Sequence, residues 1–197
     1  QATLYTDVER LSGRISGDFT IRELDDLAID SIESTLGDLE VYSDGSVTGL
    51  ASQHPHLSAA GRVAVIADAG IGGFGIDRLQ VQAATVHADT GRDASADVVI
   101  HSLGSMTIDG AGILNEAQDG WVVLTTPEQI NGQSRIDAAN AQVLTLKRSE
   151  PITEIEALAL LNGNESATGS ITIERSEAQS DPEIQALTVG ETLQVTY

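Results

Sequence analysis

Apolar residues fall on every second position in short runs along nearly the whole chain. Phe19-Thr20-Ile21, Leu27-Ala28-Ile29, Leu39-Glu40-Val41 and Val63-Ala64-Val65-Ile66 open the series. Leu79-Gln80-Val81, Thr85-Val86-His87, Val98-Val99-Ile100, Met106-Thr107-Ile108, Trp121-Val122-Val123-Leu124 and Val143-Leu144-Thr145-Leu146 continue it. Gly, Asp, Asn or Ser bounds each run. Period two with β-branched residues between turn formers predicts strands. Helical spacing is nearly absent; only residues 153–162 (TEIEALALLN) read as a helix, and there Ile155, Leu158 and Leu160 also fit alternating strand positions. The pattern predicts an all-β chain.

The apolar template also repeats. GDFTIRELDDLAID from Gly17 aligns without a gap to ADVVIHSLGSMTID from Ala96, placing Phe19 on Val98, Ile21 on Ile100, Leu27 on Met106 and Ile29 on Ile108. GSITIERSEA from Gly169 supplies a third copy through Ile171 and Ile173, and GDLEVYS from Gly37 matches DGWVVLT from Asp119. Repeats near 5–75, 76–154 and 155–197 follow, within a single domain spanning 1–197. Inside each, strand signals recur every twenty or so residues, the length of one β-solenoid coil of three short strands. The expected fold is a right-handed parallel β-helix of roughly seven to eight coils, a rod about 35 Å long. A β-sandwich is the rival, but it has no need of a repeated template.

Composition sharpens the picture. The 197 residues carry 30 acidic against 10 basic side chains, a formal charge of −20, which argues against electrostatic binding to nucleic acid or to an anionic membrane. Cysteine is absent, which excludes disulfides, thiolate nucleophiles and zinc fingers. No apolar run approaches the roughly 18–20 residues of a membrane-spanning helix. Aromatics are only 3 %, which suits a narrow interior filled by Val, Ile, Leu and Ala. The start at Gln1, without Met, suggests a processed product or a piece of a longer repeat protein.

Residues 57–109 resemble the repeats of giant bacterial surface exoproteins of the filamentous-haemagglutinin-like type. The shared parts are the alternating strand at 63–67, the corner Gly70-Ile71-Gly72, the alternating strand at 79–90 and another at 97–108. The resemblance implies the right-handed parallel β-helix, a secreted or cell-surface location, and a non-catalytic role as an adhesive or structural shaft. Its partners would be a surface glycan or protein, with end-to-end self-association through open coil ends.

Candidate chemistry is sparse. GGFGIDRLQ, from Gly72 to Gln80, fits the calcium-binding nonapeptide G-G-x-G-x-D-x-U-x. Likeness to that repeat implies Ca²⁺ held by Asp77 with the carbonyls of Gly72 and Gly75; a glycine-rich corner is the alternative. Asp25-Asp26 resembles the acid pair of pectin-degrading β-helices, but its aligned copy is Gly104-Ser105, which suggests a turn. The four histidines, His54, His56, His87 and His101, form no zinc pattern, and His87 and His101 read as satisfied strand residues. Asp89, Asp93 and Asp97 read as a solvated acidic turn around Arg92, with a cation site as the alternative, and Trp121 as core, because Leu39 aligns with it. Asn164-Glu165-Ser166 is a formal glycosylation sequon. The function expected is structural, with a calcium-stabilised module or a carbohydrate-binding or carbohydrate-degrading β-helix as alternatives.

Overall fold

The computed structural model describes residues 2–51, 54–90, 96–117, 120–138, 142–147, 153–155, 157, 170–175 and 192–196. The chain winds between two sheets. β1 (Ala2–Thr6) lies in the first and β2 (Arg10–Ile15) in the second; β3 (Phe19–Glu23) and β4 (Leu27–Ser34) stack directly on them. β5 (Leu39–Ser43) stacks on β3, and its turn crosses the second sheet in two pieces, β6 (Ser46–Gly49) and β7 (Leu57–Ala59). The next turn repeats this split, with β8 (Arg62–Ala67) followed by β9 (Gly70–Ile71) and β10 (Leu79–Gln82). Then come β11 (Thr85–Thr90) with β12 (Val98–Ser102), and β13 (Met106–Asn115) with β14 (Trp121–Thr126). β15 (Ile130–Asn131) and β16 (Ile136–Asp137) pair with β13, and β17 (Gln142–Lys147) with β14.

Every pairing to this point is parallel, which makes the chain a parallel β-solenoid. It has about five turns, the number with a paired rung on both sides, against the seven to eight expected. The shortfall lies at the C-terminal side. There β18 (Ser170–Arg175) and β19 (Thr192–Thr196) pair antiparallel, so the third sequence copy, with Ile171 opposite Leu146 and Ile173 opposite Leu144, adds no coil.

Alternation becomes burial in the way a stacked coil requires. Phe19, Leu39, Val63, Val86 and Ile108 form one column, in steps of 20, 24, 23 and 22 residues. Ile21, Val41, Val65, Ala88 and Ile113 form the next, and Leu27, Val47, Ile71, Val98 and Val122 a third on the facing sheet. All but Phe19 belong to one buried cluster, and Phe19 packs against it. The second sheet is creased in β4: Leu27 and Ile29 point inward, Asp30 is exposed, and Ile32 and Ser34 point inward again.

The long internal repeat is not a repeat of whole coils. Three rung steps from Phe19 arrive at Val86, whereas the sequence alignment places Phe19 on Val98, a residue of the opposite sheet. What recurs is a half-coil of strand, corner and strand that serves on either face. The nearly continuous apolar runs of β12 and β14 have a different origin. Val98, Ile100, Val122 and Leu124 face the interior, while Val99 and Val123 form an outer cluster with Leu144, Leu146 and Ala157. Strands buried on both faces lose the period of two. Ala157 reaches that cluster from a helical turn at Glu154 and Ile155, its N–H donating to the Thr153 carbonyl at 2.9 Å.

Acidic residues at the corners tie one turn to the next. Asp18 Oδ1 accepts the Asp38 N–H at 3.1 Å, and Asp38 Oδ1 accepts the Arg62 N–H at 2.8 Å. At the other corner Asp26 Oδ1 accepts both the N–H and the hydroxyl of Ser46, at 2.7 and 2.8 Å. Each bond satisfies a strand-initial donor that leaves the sheet ladder.

Ile21 lies wholly inside its column, so Ile21→Ala should cost about 2–5 kcal/mol in urea unfolding, the range for large-to-Ala changes in a rigid core. A cost under about 1 kcal/mol at this position is incompatible with a closed interior.

Candidate functional site

Two places break the second sheet. Between β6 and β7, and again between β9 and β10, the chain leaves the face and returns. The GGFGIDRLQ segment occupies the second break and is therefore an excursion from the middle of a face. Gly72 takes a φ of +69°, and a Cβ there would lie 2.1 Å from the Val99 carbonyl oxygen of the next turn. Only glycine fits at that close approach. Asp77 ends a 3-10 turn, Gly75–Asp77. The Gly75 carbonyl, one of the oxygens expected to meet Ca²⁺, accepts the Arg78 guanidinium at 2.8 Å. A cation already serves that carbonyl.

The carboxylates that converge among the described residues are Asp7, Glu23 and Asp25, whose oxygens lie within 4.8 Å of one another at the corner after β3. Sequence reading singled out Asp25 alone of these, because Asp7 and Glu23 belong to different runs and meet only through stacking. Glu23 is 2 % exposed, and its oxygens accept the N–H groups of Val8 and Leu24 at 3.0–3.3 Å. Its lone pairs are directed at the backbone. Asp26, the second member of the supposed acid pair, caps Ser46, whose N–H and hydroxyl hold its carboxyl below the ordinary range. Asp25-Asp26 is a turn, as the aligned Gly104-Ser105 indicated.

A polar network lies on the outer face of the first sheet. Thr20 Oγ1 donates to Glu40 at 3.3 Å, Arg62 bridges Glu40 and Asp109, and Asp109 sits in a bulge of β13 that folds back over His87. Asp109 Oδ1 accepts the Ala111 and Gly112 N–H groups at 2.7 and 3.1 Å while Oδ2 takes Arg62. Burial opposes its ionisation, but the Ala111 N–H, Arg62 and the Gly112 N–H outweigh that and hold its carboxyl below the usual value. His87 Nδ1 donates to the Gly112 carbonyl at 2.7 Å and is nearly buried. A general acid needs a free oxygen and a proton to give, and Asp109 has neither.

The other sequence candidates are also built into the stack. Asp97 accepts the Trp121 N–H at 2.9 Å, and burial pushes its carboxyl up. Burial likewise raises Asp89, against the pull of His87. His101 is buried and donates to or accepts from Thr125 Oγ1 at 2.7 Å, so His87 and His101 are satisfied strand residues. Trp121 departs from expectation. Its neighbour Val122 faces inward, so Trp121 faces out and meets Phe74 edge-on, with ring centroids 6.0 Å apart. The aligned Leu39 points inward because the alignment is one residue out of phase with the alternation: Leu39 and Val41 face in on β5, whereas Val122 and Leu124 do so on β14. Asp93 and the sequon at Asn164 lie outside the described residues. His56 is 1 % exposed and bonded through both ring nitrogens.

Comparison with known protein families, characterised proteins and solved structures gives no match.

If the glycines of the GGFGIDRLQ segment serve packing, Gly72→Ala should destabilise by at least about 2 kcal/mol. Gly75→Ala, at φ +72° but with open space around it, should cost about 1 kcal/mol, and EDTA should leave the melting temperature of the parent chain unchanged. Equal glycine costs together with a chelator-induced drop restore Asp77 as a calcium ligand.

Asp109→Asn removes a charged acceptor of three donors and should cost about 1.5–3 kcal/mol at pH 7. Because the folded carboxyl titrates below its unfolded value of about 3.9, that contribution is complete above pH ~4 and lost as pH falls further. The stability curves of parent and variant should therefore converge in acid; a constant gap from pH 7 to pH 2 contradicts this role.

Proposed function

We propose that the chain is a non-catalytic structural segment: a stiff, acid-faced shaft of a secreted or cell-surface protein. It holds the parts it joins apart and associates end to end. The observation that carries this reading is that its polar chemistry is spent on the stack itself. Among the described residues no buried side-chain nitrogen or oxygen lacks a partner, and the corner carboxylates cap strand N–H groups. A catalytic cleft keeps polar groups free for substrate.

The end-to-end part rests on the first rung. Leu4 stacks on Ile21, yet Leu4 is 38 % exposed where Ile21 is wholly buried. Val8 is 39 % exposed on the same rung. Among the described residues β1 pairs with β3 alone, and its other edge offers a row of backbone groups to another strand. A surface glycan or protein would meet the flat groups of one outer column, where the Arg22 guanidinium lies 4.2 Å from the centroid of the Tyr42 ring.

Sedimentation of the full chain tests the reading alongside a polysaccharide cleavage panel. Concentration-dependent association, weakened at least tenfold by Leu4→Lys, with no cleavage, is the expected result. Turnover of any polysaccharide, or a monomer at all concentrations, overturns the reading.

A further inference from the structure

The first break in the second sheet is closed by a side chain. After Gly49 the chain leaves the face, and it rejoins the sheet at His56, whose carbonyl accepts the Ile32 N–H at 2.8 Å and whose N–H donates to the Gln80 carbonyl at 3.0 Å. The His56 ring turns back into the gap. Its Nδ1 accepts the Gln80 N–H at 2.9 Å, and its Nε2 hydrogen-bonds the Leu50 carbonyl. A carbonyl takes only a donor and an amide N–H needs an acceptor, so the two contacts fix the neutral ring with its proton on Nε2. The imidazole thus ties the exit of its own turn, at Leu50, to the next turn at Gln80, where a strand backbone would otherwise carry the ladder. Its seat is shaped for it: a Cβ on Gly49 would lie 2.1 Å from Nδ1 and 2.2 Å from the Arg78 carbonyl.

We propose that His56 is a proton-operated fastener. Protonation of Nδ1 converts the acceptor facing the Gln80 N–H into a second donor and breaks the ring's tie to the next turn. The neighbouring excursion loosens with it, because Gln80 begins the return from that excursion and the Arg78 carbonyl backs the same seat.

The ring's surroundings favour the neutral form. Burial pushes the imidazole below its ordinary value; the Leu50 carbonyl opposes this, the Arg78 charge reinforces it from the second excursion, and Asp30 from β4 and the Arg78 carbonyl oppose it without outweighing it. His54, exposed on the same excursion, is the other titratable group nearby. A folded value below the unfolded one, about 6.5, means that His56 contributes fully to stability above that pH. The contribution falls as pH drops below about 6.5 and is gone once the folded ring is protonated.

The test is NMR on the full chain with labelled histidine, read together with hydrogen exchange at the Gln80 amide between pH 8 and pH 4.5. The expected result is a His56 ring that titrates below its ordinary range. Gln80 protection, corrected for intrinsic exchange, should be lost in step with that titration. His56→Gln supplies one acceptor and one donor without titrating, and should flatten the step; His54→Gln should leave it in place. A His56 ring that titrates at or above its ordinary value in the parent chain overturns the proposal, whether or not the variant folds. So does a step that survives His56→Gln.

Discussion

The structure depends on in-register parallel pairing between successive turns. A strand in this solenoid has no local partner for its backbone: each N–H and C=O is satisfied only by the rung before or after it. That requirement fixes the inward columns, because a slip of one residue would turn every buried Val, Ile and Leu outward. It also explains the side-chain selection. An interior whose width is set by the backbone at every level accepts Ile, Val, Leu and Ala throughout and has no level at which a Trp fits. The single Trp lies outside, against Phe74.

The same requirement dictates what happens to surplus residues. Turns of 20 to 24 residues stack on one another with the registers intact, so the extra length must leave the face. It does so at the breaks between β6 and β7 and between β9 and β10, and in the bulge of β13. At each exit a polar device replaces the interrupted ladder: His56 at the first, Gly72 with its tight backbone approach at the second, and Asp109 with Arg62 at the third. The acids belong to this account. A charge of −20 on a chain of this size is repulsive, yet Asp18, Asp26, Asp38 and Asp97 each accept a strand N–H from the following turn. Part of the charge is structural.

Period two, turn punctuation and a coil-length rhythm made the solenoid legible in the sequence, down to the inward residues of most strands. The chain-long repeat misled because alternation records that residues take turns facing in and out without recording which sheet carries them. Phe19 and Val98 obey one template on opposite sheets, whereas Trp121 aligns with the inward Leu39 one residue out of phase with its own strand. Asp7, Glu23 and Asp25 were illegible as a group because Asp7 meets the other two only through the register of β1 on β3, which the sequence does not fix. GGFGIDRLQ was legible as a place where only glycine fits, but not as a mid-face exit, since a corner and an exit both need close backbone approach. His56 gave no signal beyond its type: one histidine in a loop looks like another until the vacant backbone positions around it are known.

These exits are where the molecule has freedom to respond. Within the columns any motion must break ladder bonds on two neighbouring turns at once, so opening there approaches the cost of global unfolding. At an exit the ladder is already broken, and a few side-chain bonds hold the segment down. The Asp109 bulge is held by an ionised carboxylate and a guanidinium, groups that keep their charge across the physiological range. The first break is held by an imidazole whose two bonds demand one protonation state. Of the groups that hold the two breaks in the second sheet, the His56 imidazole is the one of a type that titrates near neutrality, so there a proton acts on the ladder's replacement itself.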